Sequence, residues 1–421
     1  MTITIAILSL LYIISMRRRF DFYSISIISS VIYFLPSMFG YVWYRVPNSG
    51  NRYDDVFVAI EYEVKFAHFI VLSFLLISMI LYDKIRSSNY DKFQLKEKRY
   101  SIFVFILVSI FIYSNFLINN FDAAMGGEKS NFSRWYSLVA ISIPFCMTLC
   151  IATRRYLYLL LFSTIVAFEM YIGNREAIVF SAISILTVML WTRGKNRLFW
   201  YYRYIMFGFF LAASALLYKN VSAAIRSGDW ELAVSRLGSW EYYGETLSKS
   251  EPFVTQSILH YAITLDWSYD GSFVKPLVAS LVPLGDIVVG NVETISGYIN
   301  GSLFEDVGYG VASNVWAEAY IYGGWPMFFV YAMVYSSIPA LLNRLMEKSK
   351  YYHQSVFLSI LGAILLFYIH RSGLDNAVNM AKRLFLFYFL CTFLSLLIDA
   401  LAASLKGSVQ YDRLPPHNRI G

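Results

Sequence analysis

The sequence predicts an all-helical protein that crosses a membrane many times, and three observations carry that expectation. Of the 421 residues 57% are hydrophobic, only 15% are charged, and the apolar residues fall in runs of roughly 15 to 25 separated by short charged clusters. Runs of that length cross a hydrocarbon layer of ~30 Å at ~1.5 Å per residue. In lipid such a run folds as a helix, which satisfies its own backbone hydrogen bonds. A composition so poor in charge excludes an ordinary water-soluble domain.

Eleven runs follow in order: 2–16, 22–41, 66–82, 101–118, 135–151, 156–172, 177–191, 204–218, 315–342, 356–370 and 384–405. The first has no basic residue before it, Arg17, Arg18 and Arg19 after it, and no small-x-small cleavage site, so it reads as a retained span rather than a signal peptide. The first eight make an N-terminal bundle over 1–218. Region 219–313 is a long polar loop of roughly 95 residues, far beyond an ordinary connection. Pro276 and Pro283 interrupt its most apolar part, 274–289, which is short for a span and reads as a re-entrant or interfacial segment. The last three spans occupy 314–405, and 406–421 is a tail. Neither an internal repeat nor a pair of matched broken helices is visible, as many secondary transporters would require.

Lysine and arginine orient the chain. Segments 17–19, 83–99, 154–155, 193–203, 343–352 and the tail hold 21 of the 35 basic residues, and five of the remaining 14 lie in the long loop. Long loops translocate largely regardless of charge, so the basic set is expected in the cytoplasm, with the N-terminus and the loop outside and the C-terminus inside. The net charge of +7 then reflects orientation and anionic head groups, not nucleic acid. Cys146, Cys150 and Cys391 all fall in predicted spans, which leaves no disulfide framework. The five histidines lack ligand-like spacing, and Gly-rich phosphate loops and a DxD pair are missing. The sequence therefore implies neither a metal site nor a nucleotide cofactor.

Four places carry candidate chemistry. Gly173-Asn174-Arg175-Glu176 lies at the outer junction of the sixth and seventh spans. Topology gains nothing from Arg175 there. It reads either as an interfacial Arg paired with Glu176 or Glu169, or as a planar fork for a phosphate. Ser313 to Pro326 opens the ninth span, with Asn314 and Glu318 one turn apart on one face and Glu318 about 6 Å below the helix start. A carboxylate at that depth serves either the helix dipole or proton transfer, and Gly323-Gly324 permits close helix packing. His370 to Asn376 ends the tenth span and places Arg371 on the face of Arg175; with Lys382 and Arg383 it makes a second basic cluster suited to a diphosphate, or a basic helix cap. The long loop carries Arg226, Arg236, His260, Asp266 and many aromatic residues, a composition that suits carbohydrate and equally an amphipathic loop on a membrane. His260 reads as a base or as a structural histidine.

Gly173-x-Arg175, the large outer loop, Asn314-x-x-x-Glu318 before Gly323-Gly324, and the late outer Arg371 together resemble the O-antigen polymerase (Wzy) family of oligosaccharide repeat-unit polymerases. The layout covers nearly the whole chain, while motif-level similarity is confined to 173–180, 313–326 and 369–376. The resemblance implies a GT-C-like helical glycosyltransferase at the periplasmic face of a bacterial inner membrane. Such an enzyme moves a growing glycan from undecaprenyl diphosphate onto a new lipid-linked unit without metal or nucleotide, alongside a chain-length regulator protein. On that basis Arg175 and Arg371, with Arg226 and Arg236 as loop candidates, hold the donor diphosphate. Glu318 or His260 accepts the acceptor proton, Asn314 and Tyr320 bind substrate, and displacement inverts the anomeric carbon. An O-antigen ligase and a lipid-linked oligosaccharide flippase are the alternatives.

Overall fold

A computed structural model describes residues 1–17, 20–47, 53–85, 95–126, 135–171, 176–193, 221, 224–225, 227–240, 242–243, 250–282, 285, 289–290, 295, 297–299 and 313–412. The N-terminal bundle contains α1 (Thr2–Leu11), α2 (Phe22–Tyr33), α3 (Leu35–Phe39), α4 (Tyr62–Ile85), α5 (Arg99–Gly126), α6 (Trp135–Ala152), α7 (Tyr156–Tyr171) and α8 (Glu176–Arg193). The loop region contributes α9 (Trp230–Gly238), α10 (Glu251–Thr264) and α11 (Val274–Leu281). The C-terminal part is α12 (Val315–Lys348), α13 (Tyr352–Leu366) and α14 (Leu374–Asp412).

Five of these helices are long and apolar enough to cross a membrane: Tyr62–Ile85, Tyr100–Asn120, Val315–Lys348, Tyr352–His370 and Leu374–Ser404. Five shorter apolar helices accompany them. This is a helical, multi-pass membrane protein. Every predicted run falls on a helix except 204–218, which lies outside the described residues.

Three local departures from the predicted pattern matter. The second run does not stay helical to residue 41: Gly40, at φ +80°, ends α3, and an antiparallel hairpin follows, β1 (Tyr41–Pro47) paired with β2 (Tyr53–Ala59) in the register Tyr41 to Ala59. Aromatic and β-branched residues favour a strand there. The last helix begins at Leu374, ten residues before the predicted run. The ninth predicted span is broken, because α12 has non-helical backbone at Gly323 and Gly324, and Gly324 adopts φ +57°, ψ −150°. That conformation is essentially confined to glycine, and Pro326 just beyond it removes another helical donor.

Contacts among the described residues collect the connecting segments at two ends of the bundle. At one end Asp21 caps α2 by accepting from the backbone N–H groups of Tyr23 and Ser24 (3.1 and 3.2 Å), and its other oxygen accepts from Asn343 Nδ2 (2.9 Å). There too Lys96 exchanges backbone bonds with Lys350 and Tyr352, and Arg155 pairs with Glu97. These are the predicted basic connections. The core between the ends is close-packed: Phe105 stacks on Phe145 at 4.6 Å, and Phe387 meets both rings edge-on.

The opposite end gathers the starts of α8, α10 and α12 and the turn between α13 and α14. Helix α10 does not lie on the surface. Phe253, Ile258, Leu259 and Ala262 are buried, and the helix packs against α2, α3, β1 and α12. Helix α11, in the segment expected to be interfacial, lies against α14 and leaves Val274, Val278 and Leu281 exposed.

Candidate functional site

The site begins with the first two turns of α12. Asn314 caps the helix by accepting from the backbone N–H groups of Trp316 and Ala317 (2.9 and 3.3 Å), while its Nδ2 donates to the Thr255 carbonyl of α10 (2.7 Å). Every residue from Val315 to Ile321 is buried, so this half-helix is enclosed on all sides. Where the break frees a carbonyl, the loop takes it up: Tyr269 N–H donates to Ile321 O (3.1 Å). Tyr320 extends the same seam, its hydroxyl donating to Asp266 Oδ1 (3.0 Å).

Glu318, one turn below Asn314, is 2% exposed. Its Oε1 accepts from the Ser313 hydroxyl (3.1 Å) and its Oε2 from the Leu374 N–H (2.8 Å). Both oxygens thus point at the turn between α13 and α14. Gly373 in that turn has φ +27°, and a Cβ there would stand 1.9 Å from Glu318 Oε1. Only a residue without a side chain permits this approach. Beside it a narrow cleft is walled by Phe273, Leu277, Tyr322 and Leu374 and carries Glu318 and Asp375. Asp375 Oδ1 is buried with no hydrogen-bond partner among the described residues.

Arg371 stands on the same turn, 30% exposed at its side chain. Its Nη1 lies 3.8 Å from Glu176 at the start of α8, and its Nε lies 3.4 Å from Glu251 at the start of α10. Tyr368 underlies the guanidinium at 5.6 Å and donates its hydroxyl to Glu176 (3.2 Å). Burial works against the charge, but the carboxylates of Glu251 and Glu176 outweigh it and raise the Arg371 pKa. Both contacts are longer than the ~2.7–2.9 Å of a tight charge-assisted bond. The fork is neutralised at a distance rather than fully engaged.

A buried polar network supports this turn from below. Trp316 Nε1 donates to His370 Nδ1 (3.0 Å), and His370 Nε2 faces the Tyr335 hydroxyl (2.9 Å) and Ser30 Oγ (3.3 Å). Because an indole N–H only donates, His370 Nδ1 must be the acceptor, and the ring is the neutral Nε2–H tautomer. Tyr335 in turn donates to the Leu366 carbonyl (3.0 Å). A second histidine, His68, bridges Gln256 of α10 (2.6 Å) and Ser37, with Phe34 stacked on it at 4.2 Å.

The structure therefore brings Asn314, Glu318, Tyr320, Arg371 and the helix bearing His260 to one end of the molecule. His260 is itself buried, and burial lowers its pKa while Glu61 acts in the opposite direction. Arg236 lies on α9, its guanidinium 5.6 Å from the Tyr242 ring, beside a small cluster of Val221, Ala224 and Ala233. Arg175 and Arg226 lie outside the described residues. Glu169 is buried on α7. Lys382 sits inside α14 and donates to the Val282 carbonyl (3.3 Å). Among the described residues no group of His, Cys, Asp and Glu is arranged to hold a metal ion.

Sequence reasoning missed Glu251, Asp375 and the Trp316 to His370 bond. Trp316 and His370 both lie in stretches singled out for other residues, and a buried donor-only indole requires a nearby acceptor. That requirement was the signal. Comparison of the chain with models of protein families, with curated proteins and with solved structures finds no match.

Proposed function

We propose that the protein polymerises oligosaccharide repeat units carried on undecaprenyl diphosphate, working at the periplasmic face of a bacterial inner membrane. On this reading the chain spans the membrane eleven times, with its N-terminus in the periplasm and its C-terminus in the cytoplasm. The observation that carries the proposal is the 371–374 turn, which holds a partly exposed guanidinium within ion-pair distance of the starts of α8 and α10 while its backbone is tied to Glu318. A cation and a buried carboxylate on one turn, at one end of a helical membrane bundle, suit the transfer of a glycosyl group away from a lipid-linked diphosphate.

In this mechanism Arg371, with Arg175 immediately before Glu176 in sequence, faces the donor diphosphate and stabilises its charge as the anomeric bond breaks. The incoming diphosphate competes with Glu251 and Glu176 for the fork. A carboxylate takes the proton from the acceptor hydroxyl, and one direct displacement inverts the anomeric carbon. The residues of the site supply general-acid/base and electrostatic chemistry, which needs no cofactor.

Complementation of a deletion strain tests the reading. Wild type is expected to restore a ladder of surface polysaccharide, and Arg371→Ala and Arg175→Ala to restore none at normal protein level. Arg371→Lys keeps the charge without the planar fork and is expected to restore little. A full ladder from Arg371→Ala overturns the proposal. Purified protein given lipid-linked repeat units without lipid A core must still build polymer, which a ligase does not.

A further inference from the structure

Glu318 was the first candidate for the proton acceptor, yet its geometry suits another task. Both of its oxygens accept hydrogen bonds from protein groups, the Ser313 hydroxyl and the Leu374 N–H, and Oε1 is covered by the Gly373 backbone. The carboxylate is turned toward the chain. Directly after Leu374 comes Asp375, which lines the same cleft, and its Oδ1 is buried with no hydrogen-bond partner among the described residues. An unmet acceptor in a buried place calls for an explanation. The apolar part of the cleft wall, Phe273, Leu277 and Leu374, offers none.

We infer that Asp375 is the catalytic residue that receives the acceptor proton, that the narrow cleft it lines admits the acceptor hydroxyl, and that Glu318 is a positioning residue. This rests on the polymerase reading and names the substrate contact within it. The turn 371–375 then carries both halves of the chemistry. The acceptor hydroxyl gives its proton to the Asp375 carboxylate as its oxygen forms the new bond to the anomeric carbon. The bond from that carbon to the diphosphate oxygen breaks, its electron pair leaves with the diphosphate facing Arg371, and Asp375 afterwards releases the proton to water. Glu318 contributes by fixing Leu374, and through it the direction of Asp375.

The test uses the full-length protein in lipid nanodiscs with repeat units on undecaprenyl diphosphate, purified from a strain lacking this chain. Asp375→Asn is expected to lose at least ~100-fold in polymer formation, the scale of a general base. Glu318→Gln, whose amide oxygen still accepts from Leu374, is expected to stay within about tenfold of wild type, as for a positioning group. Asp375→Asn within tenfold of wild type, or Glu318→Gln falling as far as Asp375→Asn, overturns the inference. Where Asp375→Asn does not fold, as judged by gel filtration, Asp375→Ala is assayed with added formate. Formate is expected to restore polymer to Asp375→Ala and not to Glu318→Ala, and absence of rescue in Asp375→Ala overturns the assignment. If wild type itself makes no polymer, the polymerase reading has failed; if only the Asp375 variants behave unexpectedly, the reading stands and Asp375 is not the base.

Discussion

Substituting Gly373 with alanine is the sharpest probe of how the turn and Glu318 depend on each other. A Cβ at this position would lie 1.9 Å from Glu318 Oε1 and 2.7 Å from its Cδ, about 1.5 Å inside ordinary contact for the oxygen. The side chain must therefore swing away, and the bonds from the Ser313 hydroxyl and the Leu374 N–H go with it. Leaving buried partners unmet costs ~1–3 kcal/mol, and a left-handed backbone adds about 1 kcal/mol for any residue with a side chain. We expect Gly373→Ala to destabilise by about 2–4 kcal/mol. On a Glu318→Ala background the nearest obstacle is gone, Asp375 Oδ1 at 3.0 Å being left to give way slightly, and the same substitution should cost little beyond the backbone part, about 1 kcal/mol. The coupling of ~1–3 kcal/mol is read as a double-mutant cycle by equilibrium unfolding in mixed micelles. Equal losses on both backgrounds would show that the close approach of Gly373 to Glu318 has no energetic meaning.

Further outcomes follow from other parts of the fold. Gly324→Ala is expected to cost about 1–3 kcal/mol, because its φ of +57° with ψ −150° suits glycine alone; an unchanged unfolding midpoint would contradict the helix break. Gly362→Ala places a Cβ 2.3 Å from the Phe22 ring, so overpacking of α13 against α2 should cost ~1–3 kcal/mol and Phe22→Leu should relieve it; failure of that rescue in the same unfolding assay argues against this contact. Burial lowers the His260 pKa, so below about pH 6.5 the unfolded chain binds a proton that the native state resists. Stability should be flat above that pH and fall as pH drops toward the folded value, and His260→Gln should reduce the slope; a slope equal to wild type refutes this. Glu251→Gln should lower the KM for the lipid-linked donor severalfold by removing a competitor for Arg371, while a raised KM would mean that Glu251 serves to aim the fork.

Much of this architecture could be read in advance because the membrane makes the rules simple. Long apolar runs in lipid have one common solution, and among the described residues the basic segments 83–99, 154–155 and 343–352 make contacts at one end of the bundle. Periodicity is a weaker guide to short segments, which is why the 22–41 helical run was carried onto the first residue of the 41–47 strand and the hairpin was not foreseen. The start of α14 was placed ten residues late because Lys382 and Arg383 look like a boundary; in the folded chain Lys382 reaches the Val282 carbonyl from within the helix, as long basic side chains do near a membrane surface. The burial of α10 was hidden for a related reason. Thr255, Gln256, Ser257 and His260 make it look exposed, but Gln256 meets His68 and the Thr255 carbonyl meets Asn314. Asn314 and Glu318 were legible as neighbours from helix geometry alone, whereas the encounter of Glu318 with Leu374 depends on residues 56 positions apart, and no local pattern announces it.

The way Tyr269 fastens onto Ile321 gives this end of the bundle a particular freedom. Main chain grips main chain in this bond, so the bond itself does not depend on which side chain stands at residue 269, whereas the ring contacts of Tyr269 with Tyr322 and Tyr298 do. Proline at position 269, which has no N–H to donate, is the one residue that undoes it. A segment fastened in this fashion can change the side chain it carries at that point and leave the bond itself untouched.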